Sequence, residues 1–459
     1  MHEIKPAGTS RRTFLKTSAA AAMGLAAAPL AFGRNERVKG ANERVRVAVI
    51  GIHGMGQNHI REYMALPDVE VAAICDVDEN QFAPVLKKFW PGGDRTPRLY
   101  QDLRKLYEDK SIDAVSVVTP NHWHALASIW ACQAGKHVSV EKPCCHNVFE
   151  GRKLVEAAEK YKVVVQDGAE QRSNPCSLSM AKFLREGGLG EVYLAKGLCY
   201  KRRKSIGHTP NKPVPAGVNY DLWLGPAPKQ PFSENRFHYN WHWNWDFGCG
   251  DIGNQGVHEM DIARWGLGVT LPTRVSATGA HVMFEDDQQT PNMLMASFEF
   301  PNPAGGGEKK KMLQFEVRHW FVNRELDLAP EKTSNNYMTS DANVVGNLFY
   351  GSKGYMAKNV TEWRTFMGDK LEPGPTGSGE ANHYRDFIDA IKAGDPRLAK
   401  GDIREGFYTC ALVHLANISY RLGRSLDFDP VTMRFKNDRK ANAMLTRNYR
   451  APFIVPDRV

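Results

Sequence analysis

A chain of 459 residues, 42% hydrophobic and 24% charged, is of ordinary globular composition and long enough for about two to three domains. Its formal net charge of +9 is concentrated at the start, where residues 1–40 carry seven basic side chains against two acidic ones, leaving +4 for the rest. So weakly basic a body argues against a nucleic-acid binder, and "KRRK" at 201–204 reads as a solvated turn rather than a phosphate clamp.

In chain order, "SRRTFLK" (10–16) precedes an apolar, alanine-rich run of 14 residues from Ala19 to Phe32. Paired arginines ahead of a short apolar segment are the pattern of a twin-arginine export signal, and the run is shorter than the ~20 residues that span a membrane. Residues 1–40 are therefore expected to be signal and linker, the twin-arginine export machinery a partner, and the location periplasmic or otherwise exported.

From Val45, apolar runs at 45–50, 69–75, 112–118, 137–140 and 162–166 alternate with helical patterns at 55–66, 79–89, 101–109, 122–134 and 148–160. Such alternation predicts an α/β, Rossmann-type doubly wound parallel sheet over 44–167. Beyond it the pattern changes. A helix at 175–186, a strand at 191–199, a Pro- and Trp-rich stretch at 206–250 and a helix at 254–267 precede strand-like runs around 271–284, 291–300, 311–322 and 345–357. Helices at 380–393 and 402–422 follow, and "NPAGGGEKKK" (302–311) reads as a hairpin tip. This predicts an α+β domain with a large, mainly antiparallel sheet over 168–425, a substrate and oligomerisation domain, and then an irregular tail over 426–459.

The eight cysteines contain no CxxC pair. Adjacent Cys144 and Cys145 are poorly placed to pair with each other, the others read as small buried hydrophobes, and no metal site is expected. His238, His242 and Asp246 are spaced four apart, but the alternating "WHWNW" between them looks like strand or loop rather than a helix that would align them.

"VRVAVIGIHGMGQNHI" (45–60) places Gly51, His53, Gly54, Met55 and Gly56 in the turn between the first strand and the first helix. There a pyrophosphate rests on backbone N–H groups at the helix N-terminus. Asp76 closes the second strand 20 positions after Gly56, where a carboxylate accepts from ribose hydroxyls and repels a 2′-phosphate, favouring NAD over NADP. His53 occupies the place of the second glycine of GxGxxG, and Gly54 is placed to take over the close approach to the phosphates.

With these glycines, "VVTPNHWH" (117–124), "VEKP" (140–143), "YDLWLGPAP" (220–228) and "GDIGNQGVHEMDIARW" (250–265) in this order, the chain resembles the Gfo/Idh/MocA family of glucose-fructose oxidoreductase and inositol dehydrogenase over about 44–425. Its exported, sugar-active branch is the nearest likeness. The resemblance implies an NAD(P)-dependent oxidoreductase for a carbohydrate or polyol hydroxyl, assembled as a dimer or tetramer. It implies that Lys142 lies beside the nicotinamide ribose and the reacting hydroxyl with Glu141 compensating its charge, and that Thr119, Pro120 and Asn121 contact that ribose, with His124 capping or lining the cleft. It implies that His258 moves the hydroxyl proton. The family usually has Asp where this chain has Asn254, four residues before His258, so Asp251, or less favourably Asp261, is expected to stand in. Tyr239, Trp241 and Trp243 read equally as sugar-stacking surface or as core, and Arg172 as a substrate contact or a brace between domains.

Outside the cytoplasm there is little free dinucleotide to exchange. Two readings therefore follow: an oxidoreductase that recycles a trapped cofactor, or a glycosidase or lyase that oxidises its sugar only transiently.

Overall fold

The computed structural model of the protein describes residues 44–93, 95–302, 309–319 and 343–459. The export signal and most of the expected hairpin tip lie outside the described residues.

The first half alternates β1 (Val45–Ile50), α1 (Met55–Met64), β2 (Val69–Cys75), α2 (Phe82–Phe89), β3 (Arg98–Tyr100), α3 (Leu103–Glu108), β4 (Ala114–Val117), α4 (Asn121–Gln133), β5 (His137–Val140), α5 (Val148–Tyr161) and β6 (Val165–Asp167). The six strands are parallel in the order β3-β2-β1-β4-β5-β6. Val47, Val49, Val115, Val138 and Val140 are all buried, as strands covered on both faces by helices require. The order reverses between β1 and β4, and a crevice opens there at the carboxyl ends of the strands. β3 has no counterpart among the predicted strands, because three residues with two exposed, at a sheet edge, carry no periodicity to read.

The second half contains α6 (Pro175–Arg185), β7 (Val192–Lys201), α7 (Tyr220–Leu224), α8 (Asp251–Asn254), α9 (Gly256–Leu267), β8 (Arg274–Ala280), β9 (Met293–Pro301), β10 (Lys310–Arg318), β11 (Asn343–Gly351), β12 (Gly354–Lys358), β13 (Glu362–Met367), β14 (Glu372–Ser378), α10 (His383–Ala393), α11 (Ile403–Leu422), β15 (Leu426–Asp429), β16 (Arg434–Phe435) and α12 (Arg439–Ala443). Its sheet runs β14-β13-β12-β11-β7-β10-β9-β8-β15-β16, antiparallel except where β10 lies parallel to β7. The run expected as one strand at 345–357 is a hairpin, turned at Ser352-Lys353 between Gly351 and Gly354. The tail is not all irregular: β15 joins β8, and Phe453 packs on Trp123 of α4.

Helix α11 joins the halves. Asp402 caps its first turn by accepting from the Arg404 and Glu405 N–H groups, Gly423 ends it in the left-handed region, and the helix packs on both α5 and β8. No helix among the described residues is long and apolar enough to cross a membrane.

Candidate active site

A cleft of about 370 Å³ lies at the carboxyl ends of β1, β4 and β5, walled on its far side by residues 222–254 of the second domain. In its nucleotide half the three glycines do different work. A Cβ on Gly51 (φ +85) would lie 2.5 Å from the Val118 carbonyl oxygen, and one on Gly56 would lie 1.8 Å from the Gly51 oxygen. Both allow the turn to close on itself. A Cβ on Gly54 (φ +40) would meet nothing within 4 Å, so this is the glycine that leaves backbone open to a ligand. His53 also lines the cleft, its ring 4.5 Å from that of His238 across the opening. Asp76 accepts from the Ile52 and Asp78 backbone N–H groups, each at 2.9 Å. Burial pushes its carboxyl up to about 6, which leaves it ionised at neutral pH with lone pairs free for ribose hydroxyls.

Thr119, Pro120 and Asn121 form the wall where β4 passes into α4. Thr119 Oγ1 and Asn121 Oδ1 are buried with no hydrogen-bond partner among the described residues. Such orphans are costly unless a ligand supplies partners, and with the open Gly54 backbone and Asp76 they fit a dinucleotide such as NAD. His124 holds this wall to the next turn, its two ring nitrogens each 2.7 Å from the carbonyl oxygens of Thr119 and Pro143. Its burial keeps the imidazole below its ordinary pKa.

β5 delivers Glu141 and Lys142 to the cleft floor. Glu141 is buried, with one carboxylate oxygen 3.0 Å from His59 Nε2 and the other accepting from the Lys142 N–H at 3.1 Å. Burial pushes this carboxyl up, but His59 and the Lys142 charge hold it at about 2. The direct partner of Glu141 is thus His59 of α1, whose other ring nitrogen lies 2.7 Å from Ser116 Oγ. Glu141 balances Lys142 through the field. His59 was not singled out from the sequence, because nothing in a helical position announces a partner 82 residues away.

Lys142 Nζ donates to the Asn254 backbone oxygen at 2.8 Å. Asn254 lines the cleft, and its side-chain amide donates to Asp251 Oδ1 at 3.2 Å. Asp251 itself lies outside the cleft wall, fully buried between Arg203 (2.8 Å) and His319 (2.8 Å), which hold its carboxyl well below the usual carboxylate range despite burial. It orients Asn254 and is too acidic to take a proton. His258, in the first turn of α9, is half-buried and does not itself line the cleft. Burial, then the Lys142 charge, press its pKa to about 3, so the imidazole is neutral with an acceptor nitrogen.

The remaining expectations divide. Tyr239 and Trp241 line the cleft, Trp241 in a short 3₁₀ turn (Asn240–Trp243) and stacked at 3.6 Å on His242. That turn replaces the strand or loop read into "WHWNW". Trp243 is buried against His319 and Arg203, outside the cleft wall. Arg172 is 6% exposed and bonds Asp261 at 2.7 Å and Glu405 at 3.2 Å, which makes it a brace rather than part of the cleft. Asp261 is paired there, and the carboxylate that the Asn254 amide meets is that of Asp251. "KRRK" alternates: Arg202 and Lys204 are exposed, whereas Lys201 donates to Gln255 at 2.6 Å and Arg203 reaches both Asp251 and, at 3.1 Å, the Tyr239 hydroxyl. His242 and Trp223 are also in the wall, and a single 3₁₀ turn and a five-residue helix are too short for periodicity to show which face meets a cleft.

Fold and site together define a two-domain, NAD-binding oxidoreductase architecture. The profile described as oxidoreductase family, NAD-binding Rossmann fold matches residues 45–169, and that described as oxidoreductase family, C-terminal alpha/beta domain matches 195–292 and 348–455. The chain belongs to the Gfo/Idh/MocA oxidoreductase family. It is 30% identical over 208 residues to a glycosyl hydrolase family 109 protein of Saccharopolyspora erythraea (41% of this chain, 45% of the relative). It is 28% identical over 211 residues to an alpha-N-acetylgalactosaminidase of Shewanella oneidensis (42% and 45%). The chain thus spans less than half the length of these curated relatives. In structure it resembles the WlbA dehydrogenase of Bordetella pertussis, solved with NADH and UDP-GlcNAcA, at a TM-score of 0.60 and 18% identity over 84% of this chain and 98% of that one.

Proposed function

We propose that this chain is an exported NAD-dependent oxidoreductase acting on a hydroxyl of a sugar or polyol, with the cofactor tightly held and recycled in place. The observation that carries the reading is the convergence of Lys142, held by the Asn254 carbonyl, with the unpartnered Thr119 and Asn121 oxygens in one cleft. NAD, when bound, supplies the hydride acceptor. Lys142 donates to the substrate oxygen and stabilises charge that develops there; His258, neutral and set back from the cleft wall, is the family's candidate for the hydroxyl proton. Tyr239 and Trp241 offer ring faces to a sugar. Assembly as a dimer or tetramer is carried over from the family likeness. The twin-arginine pattern at 10–16 supports export of the folded, loaded protein.

The glycosyl hydrolase and alpha-N-acetylgalactosaminidase relatives favour a second reading, a redox-assisted glycosidase or lyase. Oxidation of a sugar hydroxyl by bound NAD would acidify the neighbouring C–H, the glycosidic group would leave by elimination, and the hydride would return from the cofactor to the sugar, so that the net reaction is cleavage without oxidation.

Denaturing the purified protein and identifying the released dinucleotide, then following reduced-nicotinamide absorbance with a panel of sugars and glycosides, tests both. Bound NAD that a sugar reduces is expected. Cleaved glycoside without net oxidation selects the second reading, and protein that neither contains nor takes up NAD overturns both.

A further inference from the structure

Three cysteines that the proposed reaction does not use converge behind the active-site turn. Cys144 and Cys145 follow Lys142-Pro143 directly, and Cys410 comes from the middle of α11, yet their three sulfurs lie within 4.8 Å of one another and all three residues are fully buried. Cys144 Sγ and Cys410 Sγ are 3.6 Å apart. That is too far for a disulfide, whose sulfurs are about 2.0 Å apart. It is close to the ~3.8 Å between two thiolates that share a tetrahedral ion at about 2.3 Å. His414, one turn on from Cys410, places Nε2 3.8 Å from Cys145 Sγ and donates from it to the Cys145 carbonyl oxygen at 3.1 Å, which braces the Cys145 backbone at the edge of the sulfur group.

The surroundings are shaped for the sulfurs. Gly151 of α5 faces Cys145 Sγ so closely that a Cβ there would stand 2.7 Å from it. A second cavity, of about 250 Å³, reaches His414 from the surface and is lined by Arg421 and Arg447. It sets positive charge on the His414 side of a group that three thiolates would leave negative.

We propose that Cys144, Cys145 and Cys410 bind one thiophilic d¹⁰ cation, of the class of Zn²⁺ and Cu⁺, that clamps the Lys142 turn to helix α11. Three thiols lose their protons to solvent as the ion enters, and nothing is oxidised. Simple packing of small apolar cysteines is the competing account, and it does not require the common focus of the three sulfurs.

The test uses the full chain, stripped by chelator under reducing conditions. Titration with Co²⁺ is expected to raise a thiolate charge-transfer band that saturates at one equivalent and is displaced by Zn²⁺; competition of a Cu⁺ chelator with the protein then decides which ion is preferred. Cys410→Ser is expected to lose the band while Cys176→Ser, outside the cluster, keeps it. Should Cys410→Ser fail to fold, the wild-type titration decides alone. Absence of uptake of Co²⁺, Zn²⁺ and Cu⁺ by protein whose eight thiols all react after denaturation overturns the proposal. So does a purified chain whose mass shows two of the three sulfurs joined as a disulfide.

Discussion

Lys142 and Asn254 are joined across the two domains: the ammonium at the end of β5 donates to the backbone carbonyl that closes α8, at 2.8 Å. Because the acceptor is a main-chain oxygen, the lysine is positioned by the second domain whatever side chain stands at 254. Lys142→Met is therefore expected to lower the rate of nicotinamide reduction in single turnover by about 10² to 10⁴, with NAD retention and thermal midpoint little changed. Loss of bound NAD together with loss of rate would show instead that the lysine serves binding.

The glycine turn separates close packing from ligand approach. Gly54→Ala adds a methyl into open cleft at φ +40, so the protein is expected to fold with about 1 kcal/mol of strain and to bind NAD at least tenfold more weakly. Gly56→Ala places its Cβ against the Gly51 oxygen and is expected to lower stability as well. Equilibrium dialysis and urea unfolding on the pair distinguish the two effects.

Asp76 makes dinucleotide affinity depend on pH. Its carboxyl, at about 6 in the free cleft, must be ionised to accept both ribose hydroxyls, so binding lowers that pKa and affinity is full above 6. Below 6 the NAD dissociation constant is expected to rise, approaching tenfold per pH unit. Asp76→Asn is expected to bind more weakly at neutral pH and to flatten the profile, measured by calorimetry between pH 5 and 8.

What was legible in the sequence follows from what is local. The runs that became β1 and β5 place Val45, Val47, Val49, Val138 and Val140 at alternate positions, Asp76 ends a strand, and the glycines sit between strand and helix, so the first domain and its glycine turn could be read from spacing, whereas Thr119, Pro120 and Asn121 came with the family likeness. The other half of the site is tertiary. His59 meets Glu141, Arg203 meets Asp251, and His319 meets the same carboxylate, all from distant segments. A basic run such as 201–204 looks solvated until a buried acid is brought to it. Trp241 and Trp243 are two residues apart in one aromatic run, yet the 3₁₀ turn sends one to the cleft and the other to the core.

Asp251 is the buried anion that holds this second half together. Asp251→Asn leaves the Arg203 guanidinium, 20% exposed, facing an amide, and removing one partner of so buried a pair is expected to cost about 3 kcal/mol. The substituted side chain keeps one acceptor oxygen in place of two, so Arg203, His319 and the Asn254 amide compete for it. Denaturant unfolding should show the loss with an unchanged slope, and activity of the folded fraction should fall as the Tyr239 and Asn254 walls loosen.

Glu259, beside His258 on α9, is a buried acid whose cost can be read from pH. It is 1% exposed, its Oε1 accepts from the Gln255 amide at 3.1 Å, and its Oε2 has no hydrogen-bond partner among the described residues. Burial pushes its carboxyl from 4.5 up to about 7. A folded-state pKa above the unfolded one means that the native state holds the proton more tightly. The resulting stabilisation is full below 4.5 and is lost as pH rises through 7, a swing of about 3 kcal/mol. Glu259→Gln carries no proton to lose, so the thermal midpoint of the variant minus that of the wild type is expected to climb between pH 4.5 and 7 and to level off above. Both proteins share every other titrating group, so the difference isolates this carboxyl. A difference that stays flat across the window would mean that Glu259 is ionised and solvated in the folded chain, and that α9 is looser beside His258 than its packing implies.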